Sequence, residues 1–146
     1  MRELPRQLSA DELAVLFEGR TRFVERLEHE ENPLVAARTL VHELPYEEKV
    51  EILAAHPAIG QRAGLSASSA AEQGAEADPE VLEELARLNA EYEERHGFRF
   101  VVFVNRRPKS EILKVLRVRL TNPTDQELET ALSELVAIAE DRWRSA

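Results

Sequence analysis

One histidine of this chain occupies a position suited to acid/base chemistry. His56 follows Leu53 by three residues and Ile52 by four, so it emerges on the apolar face of the helix that precedes Pro57. A helix C-terminus stabilises the charged imidazolium, whereas burial favours the neutral ring. We expect an imidazole held between these effects to titrate near neutral pH, as a general acid or base requires. The alternative is a structural histidine that caps the last carbonyls of its helix.

The other three histidines have less promising surroundings. His29 lies in "LEHEEN" and His96 in "EERHGF", and we interpret both segments as charged, solvated helix ends. His42 follows Val41 near a helix C-terminus, where we expect a structural role. Among the four histidines, the sequence therefore makes only His56 a candidate for chemistry.

A hydroxyl, a carboxylate and an amide follow His56 after a loop of small residues. They belong to Ser69, Glu72 and Gln73 in "SAAEQ". These are the groups that hold a polar, nitrogen-rich heterocycle, and free N–H groups at the start of a short helix here could bind an anion. The alternative is purely structural, because Ser-x-x-Glu is also a helix capping box.

A third polar cluster, "VNRRPK" at residues 104–109, follows the most apolar segment of the chain. A guanidinium at the edge of the core can bind a carboxylate through two parallel hydrogen bonds. A solvated basic turn before a helix is the alternative. The cluster is thus a candidate for the recognition of an anionic substrate.

The sequence contains no recognisable motif for a metal or an organic cofactor. No histidine and carboxylate have metal-ligand spacing on one clear helix face, and there is no glycine-rich phosphate or dinucleotide loop. There are no cysteines, which excludes a thiolate site or nucleophile and suits a reducing cytoplasm. We expect any enzyme here to use acid/base chemistry and electrostatics alone.

The charge balance limits the partners that the protein can have. A net charge of −9, from 28 acidic and 19 basic residues, disfavours nucleic acid and anionic membranes. A small anionic substrate remains possible, because a nearby arginine outweighs distant surface charge inside a closed pocket. No apolar run approaches the ~20 residues that span a bilayer, and "MRELPRQLSADEL" has no signal-peptide apolar region. We expect a soluble, cytoplasmic protein.

Helix-start patterns divide the chain into the elements that must position these groups. Capping boxes at residues 9–12 and 124–127, and a cap followed by proline at 32–33 and 78–79, each precede apolar residues at helical spacing. Gly97 marks a helix stop. Phe98 to Val104 has strand propensity but no second strand to pair with. We predict an all-α single-domain bundle, residues 1–146, of six or seven helices with one buried extended segment near residues 98–104.

These motifs together resemble those of the 2-oxo-4-hydroxy-4-carboxy-5-ureidoimidazoline (OHCU) decarboxylases. "HPAIG", "SAAEQ" and "LNAEYEERHGFRFVVFVNRRPKSEILKVLRVRL" occur in that order, and the similarity runs from "LPYEEKVEILAAHP" almost to the C-terminus. Each motif alone is weak, but their combination is specific. The resemblance implies an all-helical fold, a homodimer, and a cofactor-free reaction in which a urate-degradation intermediate loses CO2 to give (S)-allantoin.

The resemblance also implies roles for individual residues. His56 is similar to the family's catalytic acid/base, beside Pro57, and as an imidazolium it would protonate the carbanion on one face. Ser69, Glu72 and Gln73 are similar to substrate-holding groups, and Glu72 would also orient the reacting atoms. The segment that follows the Phe-Val run is similar to the other wall of the family's substrate site.

The sequence departs from the family pattern in two places. Many members read His-Pro-Asp-Leu-Ala-Gly where this chain has "HPAIG". Where the family's substrate-binding arginine follows the Phe-Val run, this chain has Asn105. We expect Arg107, in preference to Arg106, to take that role, with Asn105 also lining the site. Two alternatives follow: an enzyme of the same fold that acts on a related carboxylated ureide, or a non-catalytic helical interaction module. An enzyme requires His56, Glu72 and Arg107 to converge on one pocket.

Overall fold

The computed structural model describes residues 3–59 and 78–145. Its helices are α1 (Ala10–Phe17), α2 (Arg22–Leu27), α3 (Pro33–Leu40), a 3₁₀ turn (Val41–Glu43), α4 (Tyr46–Ala54), α5 (Pro79–His96), α6 (Lys109–Thr121) and α7 (Thr124–Ser145). Over these two ranges there are seven α-helices and no β-strand. The prediction of an all-α bundle of six or seven helices is confirmed.

Several helix ends form as the sequence predicts. Helix α1 begins with a complete capping box, in which the Ser9 and Glu12 side chains each accept a backbone N–H of the other residue at 3.1 Å. Helix α5 ends at Gly97, whose φ of 81° is left-handed and whose N–H donates to the Glu93 carbonyl at 2.9 Å. These ends form from local sequence because the groups that satisfy them lie within a few residues.

The second capping box, residues 124–127, does not form. Thr124 is the first residue of α7, and its hydroxyl lies 2.7 Å from Nδ1 of His96. The Glu127 carboxylate is buried, and it accepts hydrogen bonds from Tyr92 at 2.6 Å and Arg119 at 2.8 Å. A buried carboxylate with charged and hydroxyl partners is stabilised more than a solvated cap, so the tertiary contacts prevail.

His96 differs from the sequence-based interpretation. It is 3% exposed, and its ring lies against Tyr92, at 4.5 Å between centroids, and Phe98, at 5.9 Å. The interpretation of a solvated histidine is therefore wrong. The chain reverses at Gly97 and brings the aromatic residues of the next segment back onto the last turn of α5.

The helices enclose one hydrophobic core around the C-terminal helix. Helix α7 packs against α1, α3, α4 and α5, while α5 and α6 pack along each other. The largest fully buried side chains are Tyr92, Phe17, Phe23, Phe100, Leu13, Leu27, Leu34, Ile52, Leu53, Leu85, Ile112 and Leu116. No helix within residues 3–59 and 78–145 is long and apolar enough to cross a membrane.

The segment at residues 98–104 forms neither helix nor strand and is largely buried, in agreement with the prediction of an unpaired segment in the core. Side chains satisfy part of its backbone in place of a partner strand. The Phe103 N–H donates to the Glu134 carboxylate at 3.2 Å, and the Val101 carbonyl accepts from the Arg119 guanidinium at 2.7 Å. Buried peptide groups need such partners, so charged residues on α6 and α7 make the segment possible without a sheet.

Candidate active site

His56 lies just beyond the C-terminus of α4, at the edge of the core. Its N–H donates to the Leu53 carbonyl at 3.2 Å, and the side chain is buried with 4% of the residue exposed. Pro57 follows and is half-buried. Because proline supplies no N–H and disfavours a helical residue before it, the chain turns here and the imidazole is directed inward.

The His56 ring is neutral at pH 7. Burial lowers its pKa to about 4; the positive charges of Arg142 and Arg99 act in the same direction, and the negative charge of Glu18 opposes them. The expectation of a near-neutral pKa is therefore wrong here, because desolvation outweighs the stabilisation of a cation at the helix C-terminus. The ring atom Nε2 is buried and has no hydrogen-bond partner among the residues that the structure describes.

A buried ion pair supplies the main charges that act on this ring. The Arg142 guanidinium on α7 lies 2.9 Å from the Glu18 carboxylate and also donates to the Leu16 carbonyl at 3.1 Å. The two charged side chains are only 4% and 11% exposed. Glu18 adopts a left-handed backbone with φ 65°, which costs a residue with a Cβ about 1 kcal/mol. Such strain is often found at functional sites.

The sequence analysis did not identify Arg142. The residue lies in "AEDRWRS", which has the composition of a solvated helix end. The available indication was its spacing, because Arg142 follows Ala139 by three residues and Leu135 by seven, on the apolar face of α7. A charged residue on an apolar stripe is rarely buried without a partner or a function.

Arg107 and Asn105 lie in the turn before α6. The Arg107 guanidinium folds back onto its own segment and donates to the carbonyls of Val104 at 3.1 Å and Phe103 at 2.6 Å. Asn105 and Arg106 are exposed and both have left-handed backbones, with φ 47° and 64°. The arginines whose charges act on His56 are Arg142 and Arg99, so the substrate-binding role of Arg107 stays a prediction.

The predicted substrate-holding residues Ser69, Glu72 and Gln73 lie outside the described residues. Their convergence with His56 stays a prediction. Within residues 3–59 and 78–145, no group of three or more histidine or carboxylate side chains could hold a metal ion.

Comparison with known proteins identifies the family. The family model for OHCU decarboxylase matches residues 3–144. The chain belongs to the OHCU decarboxylase family. It is 35% identical to a 2-oxo-4-hydroxy-4-carboxy-5-ureidoimidazoline decarboxylase of Haloferax volcanii over 111 residues, which are 73% of this chain and 66% of that protein. A decarboxylase of the same name from Halalkalicoccus jeotgali is 27% identical over 133 residues, covering 76% of each chain.

A solved structure also matches this OHCU decarboxylase family member. A crystal structure of an OHCU decarboxylase in the presence of (S)-allantoin superposes with a TM-score of 0.76 at 26% identity, covering 92% of this chain and 96% of the other. The family membership that "HPAIG", "SAAEQ" and the Phe-Val run indicated is confirmed, and with it the carboxy-lyase class.

Proposed function

We propose that this protein is a cofactor-free decarboxylase that converts OHCU to (S)-allantoin and CO2 in urate degradation. The observation that carries the proposal is a buried, neutral His56 subject to the field of a buried arginine, in a chain that matches the OHCU decarboxylase family over residues 3–144. A carboxylate substrate needs a cation in the site, and a protonation step needs a group that can exchange a proton.

The reaction requires the protein to manage one electron pair and two protons. When the carboxylate leaves as CO2, the electron pair of the broken bond spreads over the adjoining ring C=N group, and preorganised charge and hydrogen bonds stabilise that state. The ring nitrogen takes one proton from solvent. The 4-hydroxyl group then loses its proton and becomes a carbonyl, while carbon 5 gains a proton. The product is allantoin.

His56 is suited to that exchange. As a neutral imidazole it can accept the hydroxyl proton and return it to carbon 5, acting first as a base and then as an acid. The negative charge of a bound substrate raises the pKa of a neighbouring imidazole, which makes proton uptake easier in the complex than in the free protein. A donor fixed on one side of the ring accounts for a single enantiomer.

Arg142 is suited to stabilising the negative charge of the substrate carboxylate. Its guanidinium already binds Glu18 and the Leu16 carbonyl, but its positive charge acts on a neighbouring anion more strongly in a buried site than it would in water. Glu18 holds this guanidinium in place. We further propose that Glu72 assists His56 in catalysis, and that the remaining substrate contacts are made by Pro57, Ser69, Gln73, Asn105 and Arg107.

The experiment that tests the function generates OHCU from urate in situ and follows the circular dichroism of (S)-allantoin. The protein should accelerate the appearance of the chiral signal above the spontaneous, racemising decay. No acceleration would contradict the proposal. The matched variants are His56→Asn, which should behave like the uncatalysed reaction, and His42→Asn, which should behave like the parent protein.

One observation favours a second candidate function. Asn105 stands where the family pattern has an arginine, which suggests a related carboxylated ureide as the substrate. A panel of such compounds, assayed for CO2 release, separates the two functions. Turnover of another ureide at a kcat/KM above that of OHCU would favour the second function.

We also propose that the protein is a homodimer in the cytoplasm. The family resemblance supports the dimer, and the cysteine-free sequence is compatible with a reducing compartment. Light scattering coupled to size-exclusion chromatography measures the mass directly, and a value of one chain, 16.6 kDa, would contradict the dimer. Fractionation of the native cells tests the location.

A further inference from the structure

The turn that carries His56 is held at both ends by side chains from elsewhere in the molecule. We call residues 56–59 the His56 turn. The Arg99 guanidinium donates to the His56 carbonyl at 2.5 Å, and the Asn89 amide donates to the Ile59 carbonyl at 3.1 Å. These donors come from the extended segment and from α5, respectively, which are 43 and 30 residues away in sequence. Their positions are therefore set by the tertiary fold.

The contact from Arg99 satisfies the carbonyl of His56, which lies just beyond the end of α4. A carbonyl outside the helix has no place in the helical hydrogen-bond ladder, so a side chain from elsewhere in the fold supplies its partner. A cation at this end is also favoured by the helix dipole. Arg99 is in turn fixed by the Glu93 carboxylate, which accepts from its Nε at 2.7 Å. The guanidinium thus bridges the end of α5 and the carbonyl of His56.

Asn89 is buried, and its side-chain amide nitrogen makes two hydrogen bonds. Its amide nitrogen donates to the Leu85 carbonyl on its own helix at 3.0 Å as well as to Ile59. An amide group with one bond along α5 and one across to the turn has little freedom to move. Such a polar group is costly to bury unless both of its bonds are made. The turn is therefore tied to α5.

We propose that Arg99 and Asn89 are positioning residues that place the His56 imidazole for proton transfer. This inference rests on the proposed function. Nε2 of His56 has no hydrogen-bond partner among the described residues. The ring is located by packing and by the two ends of its own turn. We call the hydrogen bonds from Arg99 and Asn89 to the His56 turn the clamp. Displacement of a reacting group by about 1 Å can cost about 10²-fold in rate, so the clamp should have a measurable effect on catalysis.

Arg99 also contributes to the electrostatics of the ring. The charges that act on His56 are Arg142 on α7, Glu18 after α1, and Arg99 on the extended segment. Removal of the Arg99 charge removes one of the two positive charges that disfavour protonation of the imidazole. Geometry and charge can be separated, because lysine keeps the charge of arginine but not its fork of donors.

The test compares Arg99→Met, Arg99→Lys and Asn89→Ala with the parent protein in the (S)-allantoin assay. We expect kcat to fall by about 10- to 100-fold in Arg99→Met and Asn89→Ala, with KM within about 3-fold, because the substrate contacts remain. Arg99→Lys should recover part of the loss. The control is Arg87→Met, which removes an exposed arginine paired with Glu84 on α5 and should leave kcat unchanged.

A second measurement does not depend on activity. NMR titration of the His56 imidazole should give a higher pKa in Arg99→Met and a parent-like pKa in Arg99→Lys, and hydrogen exchange of the turn amides should accelerate in Arg99→Met and Asn89→Ala. If kcat falls no more than in Arg87→Met, or only KM changes, the clamp is refuted. If the parent protein itself is inactive, the proposed function fails, and the titration and exchange results still decide the clamp.

Discussion

The molecule contains two clusters that each combine a histidine, a glutamate and a cationic side chain, in different surroundings. His42 is one-third exposed, with Nδ1 at 2.9 Å from Glu129 and Nε2 at 3.1 Å from the Ser133 hydroxyl, and Lys49 also binds Glu129. His56 is buried beside the charges of Arg142 and Glu18. Its Nε2 has no hydrogen-bond partner over the described part of the chain.

The difference shows that a carboxylate partner does not by itself make a histidine available for proton transfer. Both nitrogens of His42 are occupied, and its carboxylate is shared with a cation. Although burial raises the pKa of Glu129, the hydrogen bonds from His42 and Lys49 hold that pKa below its usual value. The polar groups of this cluster are thus paired with one another. Nε2 of His56 is buried and has no partner among the described residues, so a substrate could hydrogen-bond to it.

The largest expected difference between the two clusters is their effect on the rate of catalysis. His56→Asn should lower the rate of (S)-allantoin formation by at least about 10²-fold, because general acid/base catalysis contributes that much or more. His42→Asn should stay within about 2-fold of the parent protein, since its ring has no proposed contact with substrate. Circular dichroism in the far ultraviolet checks that both variants fold. Equal losses of rate in the two variants would contradict a catalytic role that is specific to His56.

The next effect is on stability, through the buried ion pair beside His56. Arg142→Met should lower the free energy of unfolding by about 3 kcal/mol, because it leaves the Glu18 carboxylate buried without its cation. Adding Glu18→Gln should recover a large part of that stability without restoring catalysis. Urea denaturation measures both. A double variant with restored activity would show that Arg142 only neutralises Glu18.

The third effect is the dependence of stability on pH. His56 has an ordinary pKa of 6.5 and a folded-state pKa of about 4, so the unfolded chain binds more protons between these values. The contribution is fully present above pH 6.5 and is lost as the pH falls towards 4, with about 2 kcal/mol lost between pH 7 and pH 5. His56→Asn should flatten the unfolding curve over that range. An unchanged slope would mean that the ring is not desolvated.

The smallest effect is expected at the exposed cluster. Lys49→Met should cost no more than about 1 kcal/mol of unfolding free energy, because Glu129 is 42% exposed and stays solvated without the cation, although Lys49 itself is only 14% exposed. Decarboxylation should be unchanged. Thermal unfolding at low and high salt measures the contribution. A loss as large as that of Arg142→Met would contradict the distinction between the two clusters.

The sequence was most informative where the interactions are local. The capping box at Ser9 and the stop at Gly97 are satisfied within a few residues, so their residue types were sufficient to predict them. The extended segment at 98–104 was also predictable, because a single apolar run without a partner strand has few other options. The order of the His-Pro, Ser-x-x-Glu-Gln and Phe-Val motifs indicated the family and identified His56.

Tertiary structure decided the properties on which chemistry depends. Arg142 binds the Leu16 carbonyl across 126 residues of sequence, and no local pattern specifies such a contact. The burial of His96 and the use of Glu127 as a buried acceptor likewise depend on helices that meet only after folding. The sequence determined which helices form and that His56 is the residue to test. Only the packed bundle determined that its ring is neutral, because desolvation is a property of everything that surrounds it.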